Sequence, residues 1–277
     1  MAVVNTWVGG PVDLTKLPIG TGRVSTTAAS VGGLFACVGG TTTMGGAMRA
    51  GPWIDEGAGT WDATRKVRVA GAVGWPMARF RETLQGEVRR LESNGLPVGL
   101  VSGTFPIAAQ DPAYAYDRNP NSIGEHDLSV ELPRLAQVAA RASCLPMGAI
   151  GILRNGVAVF AAIDARQRDA VAYETQDVCD GHPGQTSRYH YHEVPSCIRD
   201  AATGPSTVVG FAADGFPIVV ERDAQGRLPT NADLDECHGR SSPVSLDGAV
   251  VSTYHYSATA EFPYFMGCYR GARPLRL

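Results

Sequence analysis

The chain is 277 residues long, 44% apolar and 18% charged, enough to bury a substantial core without a metal or disulfides standing in for one. A formal net charge of −3 gives no general attraction to nucleic acid or an anionic membrane, and no stretch approaches the roughly 18 uninterrupted apolar residues of a membrane span. Polyanion binding and membrane spanning are therefore excluded as expectations.

In chain order, Met1-Ala2-Val3-Val4-Asn5-Thr6-Trp7 has no basic region, apolar core or cleavage site of a signal peptide. Glycine (33) and proline (18) are scattered throughout, which favours short strands and turns over long helices. Residues 67–73, Val-Arg-Val-Ala-Gly-Ala-Val, read as a strand. Residues 77–91, with Arg and Glu spaced along them, form the first helical candidate, interrupted by Gly86. Asn94-Gly95-Leu96-Pro97 and Gly103-Thr104-Phe105-Pro106-Ile107 read as tight turns. Asp117, Asn119 and Asn121 then place oxygen donors at every second residue. That is the start of a calcium-loop pattern, but the glycine and the closing glutamate of an EF-hand are missing. An Asx-rich turn is the plain reading, with a calcium or substrate loop as the alternative. His126 stands alone and reads as a satisfied surface or core residue. Residues 132–143, rich in alanine and opened by Leu132-Pro133, form the second helical candidate.

From about residue 149 the sequence is written twice. The first copy runs Ile150-Gly151-Ile152-Leu153-Arg154-Asn155-Gly156, then Asp177-Val178-Cys179-Asp180-Gly181-His182, Tyr189-His190-Tyr191-His192 and Cys197. The second runs Val209-Gly210-Phe211-Ala212-Ala213-Asp214-Gly215, then Asp235-Glu236-Cys237-His238-Gly239, Tyr254-His255-Tyr256-Ser257 and Cys268. Asn155-Gly156 and Asp214-Gly215 are strong hairpin dipeptides, predicting type I′ turns. Residues 157–163 and 216–220 follow as strands. The expected fold is mainly β: a single β-rich domain with an internal duplication in its C-terminal half and few short helices. Residues 1–145 would be an N-terminal β-rich extension packed on a duplicated core at 146–277, with repeats at about 149–198 and 208–269. A two-domain split near 145 is the alternative.

The six cysteines are even in number and contain no C-x-x-C pair, which disfavours a zinc ribbon or thioredoxin-type motif and favours disulfides. Many pairings are open to six cysteines. If the repeat holds, symmetry suggests Cys179 with Cys197 and Cys237 with Cys268, leaving Cys37 with Cys144. Disulfides require an oxidising compartment, so the expectation is a secreted or periplasmic protein lacking its signal peptide, with Met1-Ala2 as an added start.

On a strand, successive side chains alternate faces, so His190 and His192 should share one face while Tyr189 and Tyr191 share the other. Two imidazoles spaced this way can chelate one ion with a third ligand. His255, His182 and His238 are the candidates for it. Zinc, copper and iron all accept imidazole. Asp177 is a candidate to orient a ligating ring, and Tyr189, Tyr191 and Tyr254 are candidates to move a proton. Asp214 reads as a turn residue. No serine-hydrolase elbow, zincin helix, phosphate loop or dinucleotide fingerprint is present.

Tyr189-His190-Tyr191-His192, with Asn155-Gly156, Asp177, Cys179, Gly181-His182, Asp214-Gly215-Phe216-Pro217, Asp235-Glu236-Cys237, Tyr254-His255-Tyr256 and Gly267-Cys268, resembles the YHYH domain family over residues from about 100 to 271. The resemblance implies export and leaves the reaction undefined. The resemblance implies that a histidine often follows the second triplet, where this chain has Ser257, a departure that makes the two copies unequal. The functional expectation is a metal-dependent hydrolase acting on a small-molecule or polymer substrate outside the cell. The alternatives are a copper-dependent oxidase, a metal-free Tyr/His lyase, and a non-catalytic metal- or ligand-binding module.

Overall fold

Gly156 and Gly215 each reverse the chain at the centre of the molecule. In the computed structural model, which describes residues 3–39, 47–272 and 274–277, their φ angles are +88° and +90°. Leu153 N–H donates to Val157 O at 2.9 Å and Gly156 N–H to Leu153 O at 2.9 Å, and the same two bonds recur at Ala212–Phe216 and Gly215–Ala212. Only the glycine of each pair takes positive φ. The turns are thus three-residue loops closed by a glycine bulge rather than the expected type I′, and this leaves Asn155 and Asp214 free to aim their side chains into the core.

The molecule is mainly β, as expected. A first antiparallel sheet joins β1 (Phe80–Gln85), β2 (Val88–Ser93) and β3 (Leu128–Pro133). The central sheet has eight strands: β4 (Ala149–Leu153), β5 (Ala158–Phe160), β6 (Gly181–Pro183), β7 (Tyr189–Tyr191), β8 (Ser206–Ala212), β9 (Pro217–Glu221), β10 (Gly239–Leu246) and β11 (Ala249–Ser257). Their order is β6-β7-β5-β4-β8-β9-β11-β10. The same pattern of pairings runs outward from the central β4–β8 contact in both directions. β4 pairs antiparallel with β5, which runs parallel to β7, which pairs antiparallel with β6; β8, β9, β11 and β10 do the same. The registers correspond too, with Val159 beside Tyr191 and Ile218 beside Tyr256.

Both helical candidates are corrected by the structure. Residues 77–91 contain most of the β1–β2 hairpin, turned at Gly86 with φ +59°, and residues 132–143 hold the end of β3 and a strand, Val138–Ser143, paired with Tyr269–Gly271. In β2 and β3 every second residue is buried. A period of two set by burial on the central sheet overrides the helix propensity of Arg, Glu, Leu and Ala. The strand expected over 67–73 is reduced to a bridge between Val69 and Asp177 and a short strand, Val73–Gly74.

Alternation along the central strands divides the core between two faces. Val209, Ala212, Ile218 and Val220 pack with Leu17, Leu34, Trp53 and Trp61 of the N-terminal segment. Val208, Phe211 and Val219 pack with Leu91, Leu128, Val130 and Leu132 of the three-stranded sheet. The central sheet is therefore covered on both faces by residues that precede it in the chain. Three disulfides, Cys37–Cys144, Cys179–Cys197 and Cys237–Cys268, tie the layers together, in the pairing that repeat symmetry suggested.

Candidate metal centre

Three histidines meet at one end of the central sheet because two short strands place them there. His190 and His192 lie two residues apart on one face, and His182 sits directly opposite His190 in the antiparallel β6–β7 register. Gly181 makes the opposite face equally tight: a Cβ there would fall inside the ring of Tyr189. The alternation expected from the sequence is observed. Tyr189 Oη donates to Asp177 Oδ2 at 2.7 Å and Tyr191 Oη accepts from Asn155 Nδ2 at 2.8 Å, both away from the histidines.

Two of the rings are held by backbone carbonyls. His190 Nδ1 lies 3.1 Å from Arg188 O and His192 Nδ1 lies 2.6 Å from Ala161 O. A carbonyl only accepts, so each Nδ1 carries the proton and each Nε2 presents its lone pair to the site, which is the tautomer that metal-bound imidazoles need. The two Nε2 atoms are 3.2 Å apart. Glu174 completes the group. It caps the one-turn helix α1 (Ala170–Tyr173), whose N-terminus is held by Asp169, and its Oε2 lies 3.2 Å from His192 Nε2 and 3.3 Å from His182 Nε2. Ligands about 2.1 Å from one ion, at angles between octahedral and tetrahedral, stand roughly 3.0 to 3.4 Å apart. The three closest separations fall in that interval, and the ligand atoms of His182, His190 and His192 all lie within 4.8 Å of one another.

Two members of the cluster, His182 and Glu174, have polar atoms with no hydrogen-bond partner. His182 is 5% exposed, and neither of its ring nitrogens makes a hydrogen bond, nor does Glu174 Oε2. Burial and then the charges of His190 and His192 push His182 well below the usual histidine range, while burial and His192 bring His190 down to about 3. Burial acts in the same direction on His192, but the adjacent Glu174 carboxylate outweighs it and raises that ring. His182 and His190 are therefore neutral and turn imidazole lone pairs toward a site that also holds the Glu174 carboxylate, an arrangement that a cation would stabilise.

A pocket of about 740 Å³ opens onto this cluster. Phe160 forms one wall, stacked on His190 with ring centroids 4.0 Å apart. Ile163, Met48 and Met147 add apolar surface, and Asp117, Asn121 and Gln185 add polar groups. Burial and the nearby Glu174 push Asp117 up to about 6, against the pull of the Thr175 N–H at 3.3 Å. Behind α1, the buried Lys66 ammonium contacts Val171 O and Gln176 Oε1 and so fixes the segment that carries Glu174.

The other candidate residues are dispersed. His255 lies on β11, five strand spacings from β7, or about 24 Å, too far to join His190 and His192; its near neighbour is Glu221 at 3.1 Å. His238 is also in the second half, bonded to Thr259 Oγ1 at 2.9 Å. Its structural counterpart is Asp180, since both take φ near +60° immediately before the paired glycine, and the counterpart of His182 is Arg240. Asp177 binds no imidazole: its carboxylate accepts from Tyr189 and the N–H groups of Gly103, Cys179 and Gly181. Tyr254 donates to Asp235 at 3.1 Å in the same way. Burial lifts the phenols of Tyr189, Tyr191 and Tyr254 well above their usual range, and none of the three lines the pocket. Asp214 does more than turn the chain; it accepts from Tyr256 Oη at 2.5 Å and Gly271 N–H at 2.8 Å. Asn119 spends its side chain on Pro183 O and Asn121, as an Asx turn does, and with Asp117 and Asn121 it borders the histidine pocket. Glu174 and Phe160 were not singled out in the sequence. The only trace of Glu174 is an acid directly after the apolar run Ala170-Val171-Ala172-Tyr173.

Residues 129–227 match the model of a protein family described as YHYH protein, bearing out the resemblance over a segment that contains the complete histidine cluster and ends before the second triplet. No curated protein and no solved structure matches the chain.

Proposed function

We propose that His182, His190, His192 and Glu174 hold one transition-metal ion at the floor of the pocket and that the protein is a metal-dependent hydrolase. The observation that carries this reading is the spacing of the four donor atoms, 3.2 to 3.3 Å where they are closest, together with the two backbone carbonyls that fix the ring protons on Nδ1. A bound ion with a position left open toward the pocket would supply an activated water at neutral pH. Asp117, which lines the pocket and is raised to about 6 by burial, is our candidate to carry a proton, and Phe160 and Ile163 offer apolar surface to the body of a small substrate. Three disulfides support an extracellular or periplasmic setting. Among the described residues no helix is long and apolar enough to cross a membrane.

Copper-dependent oxidation is the second reading, favoured by the thioethers of Met48 and Met147 on the rim of the pocket that the three imidazoles line, since soft sulfur with nitrogen suits copper. A Tyr/His lyase has less support, because the tyrosine hydroxyls face away from the histidines.

Elemental analysis of purified wild type against the His190→Ala, His192→Ala double variant tests the proposal. About one equivalent of metal, lost in the variant, is the expected result. Zinc or iron with ester or amide hydrolysis supports the hydrolase, and copper with oxygen consumption under a reductant supports the second reading. No metal in wild type after incubation with zinc, copper and iron salts would overturn both.

A further inference from the structure

The second half of the central sheet contains a cluster in the same place as the first. In the β6–β7 register His182 faces His190; in the β10–β11 register Arg240 faces His255. His255 Nδ1 lies 3.2 Å from Thr253 O, two residues back, as His190 Nδ1 lies 3.1 Å from Arg188 O. The ring is thus held in the same tautomer, with Nε2 pointing inward. A glutamate is again present: Glu221 Oε2 is 3.1 Å from His255 Nε2. Ser257 stands where His192 stands and donates to Glu221 Oε2 at 2.7 Å. His255, Glu221 and Ser257 are fully buried, and His255 Nε2 makes no hydrogen bond.

The halves differ in how they balance charge. In the first, three imidazoles and a carboxylate meet, and none of the four is a lysine or arginine. In the second, the Arg240 guanidinium enters at the position of His182, with Nε 3.6 Å from Glu221 Oε1. Arg240 is held there from outside, by Asn5 Oδ1 at 3.2 Å and by stacking over Trp7 at 4.9 Å. A permanently charged guanidinium beside the carboxylate does electrostatically what a bound ion would do, and it cannot be displaced by losing its proton.

We propose that this cluster is a second metal position of the same design, closed in this chain by Arg240, so that the protein binds one ion and not two. The proposal rests on the metal reading of the first site. Its consequence is that Arg240→His with Ser257→His restores a His/His/His/Glu set and opens the position to a second divalent transition metal.

Cobalt(II) is a suitable probe, read by equilibrium dialysis and by the visible bands of nitrogen-ligated cobalt. Wild type is expected to bind one ion and the Arg240→His, Ser257→His variant two. One ion in both, with the variant folded, would overturn the proposal. The same pair of changes placed on His190→Ala, His192→Ala reads the second position by itself: one ion supports it, none sinks it, whatever the first site does. Because Arg240 also anchors Asn5 and Trp7, Ser257→His alone is a second test that keeps those contacts. It is expected to remain at one ion, and a second ion bound with Arg240 in place would refute the assignment of Arg240 as the closing cation.

Discussion

His238 shows how a single buried side chain writes itself into the pH dependence of the molecule. It takes φ +67° and is 1% exposed, and burial alone brings its ring down to about 3. Thr259 Oγ1 donates to Glu261 O, so His238 Nε2 carries the proton and donates to that hydroxyl. The unfolded chain's histidine binds a second proton near pH 6.5, the folded one only near 3. Between those values the unfolded state holds more protons, so the stability is complete above about pH 6.5 and is lost as pH falls, at up to about 1.4 kcal/mol per pH unit. His238→Asn keeps a residue that accepts positive φ and removes the titration. Urea midpoints measured from pH 8 to 4 are expected to fall less steeply for the variant than for wild type; parallel curves would show that His238 is not the group responsible. At this scale the sequence was informative about side-chain direction and silent about partners. The facing of His190 and His192 followed from the period of a strand, whereas Glu174 reaches His192 and His182 only because the fold brings the end of a one-turn helix beside them.

At the scale of elements, the tyrosine triplets are braces. Each half lays a tyrosine over the glycine of the neighbouring strand: Tyr189 over Gly181 and Tyr254 over Gly239, where an added Cβ would fall among the ring atoms. Each then fastens an aspartate, Asp177 or Asp235, that accepts the N–H groups of the loop leading into the strand. Gly181→Ala and Gly239→Ala are each expected to cost about 1 to 3 kcal/mol by overpacking, against a change within about 0.5 kcal/mol for Gly74→Ala, where nothing lies within 4 Å. Denaturant unfolding of the three variants checks this, and equal stabilities would remove the bracing role. The hairpins were legible as elements because Asn-Gly and Asp-Gly mark turns. The two segments read as helices were not, because Arg, Glu and Ala carry helical propensity, and the alternation that overrides it exists only once Leu91, Val130 and Leu132 have a sheet to pack against.

Over the whole molecule, the disulfides close loops of very different length. Cys37–Cys144 spans 107 residues, Cys237–Cys268 spans 31 and Cys179–Cys197 spans 18. Loop-closure entropy gives about 4.7 kcal/mol for a loop near 100 residues and about 3 for one near 15. Replacing the first pair by Ala is therefore expected to lower stability by more than replacing the Cys179 pair, by roughly 1 to 2 kcal/mol, as read by urea unfolding of the two double variants. The reverse order would place the contribution in local packing around β6 and β7. The Cys37–Cys144 bridge also pins the N-terminal segment beside the core it shares with the sheet, where Leu17, Trp53 and Trp61 lie against Ile150 and Ile218.

The sequence by itself determined the β-rich class, the matching motifs of the two halves and the common face of His190 and His192, and it suggested the disulfide pairing. All of these rest on local chemistry or on order along the chain: turn dipeptides, a side-chain period of two, and corresponding cysteines. Only the tertiary structure decided which histidines meet. Similar motifs in two copies suggested one shared site, but in a continuous sheet the copies lie on opposite sides of the central β4–β8 pair. Corresponding residues are thereby held strands apart, and each half must complete its cluster from its own loops. The first does so with His182 and Glu174, the second with Arg240 and Glu221.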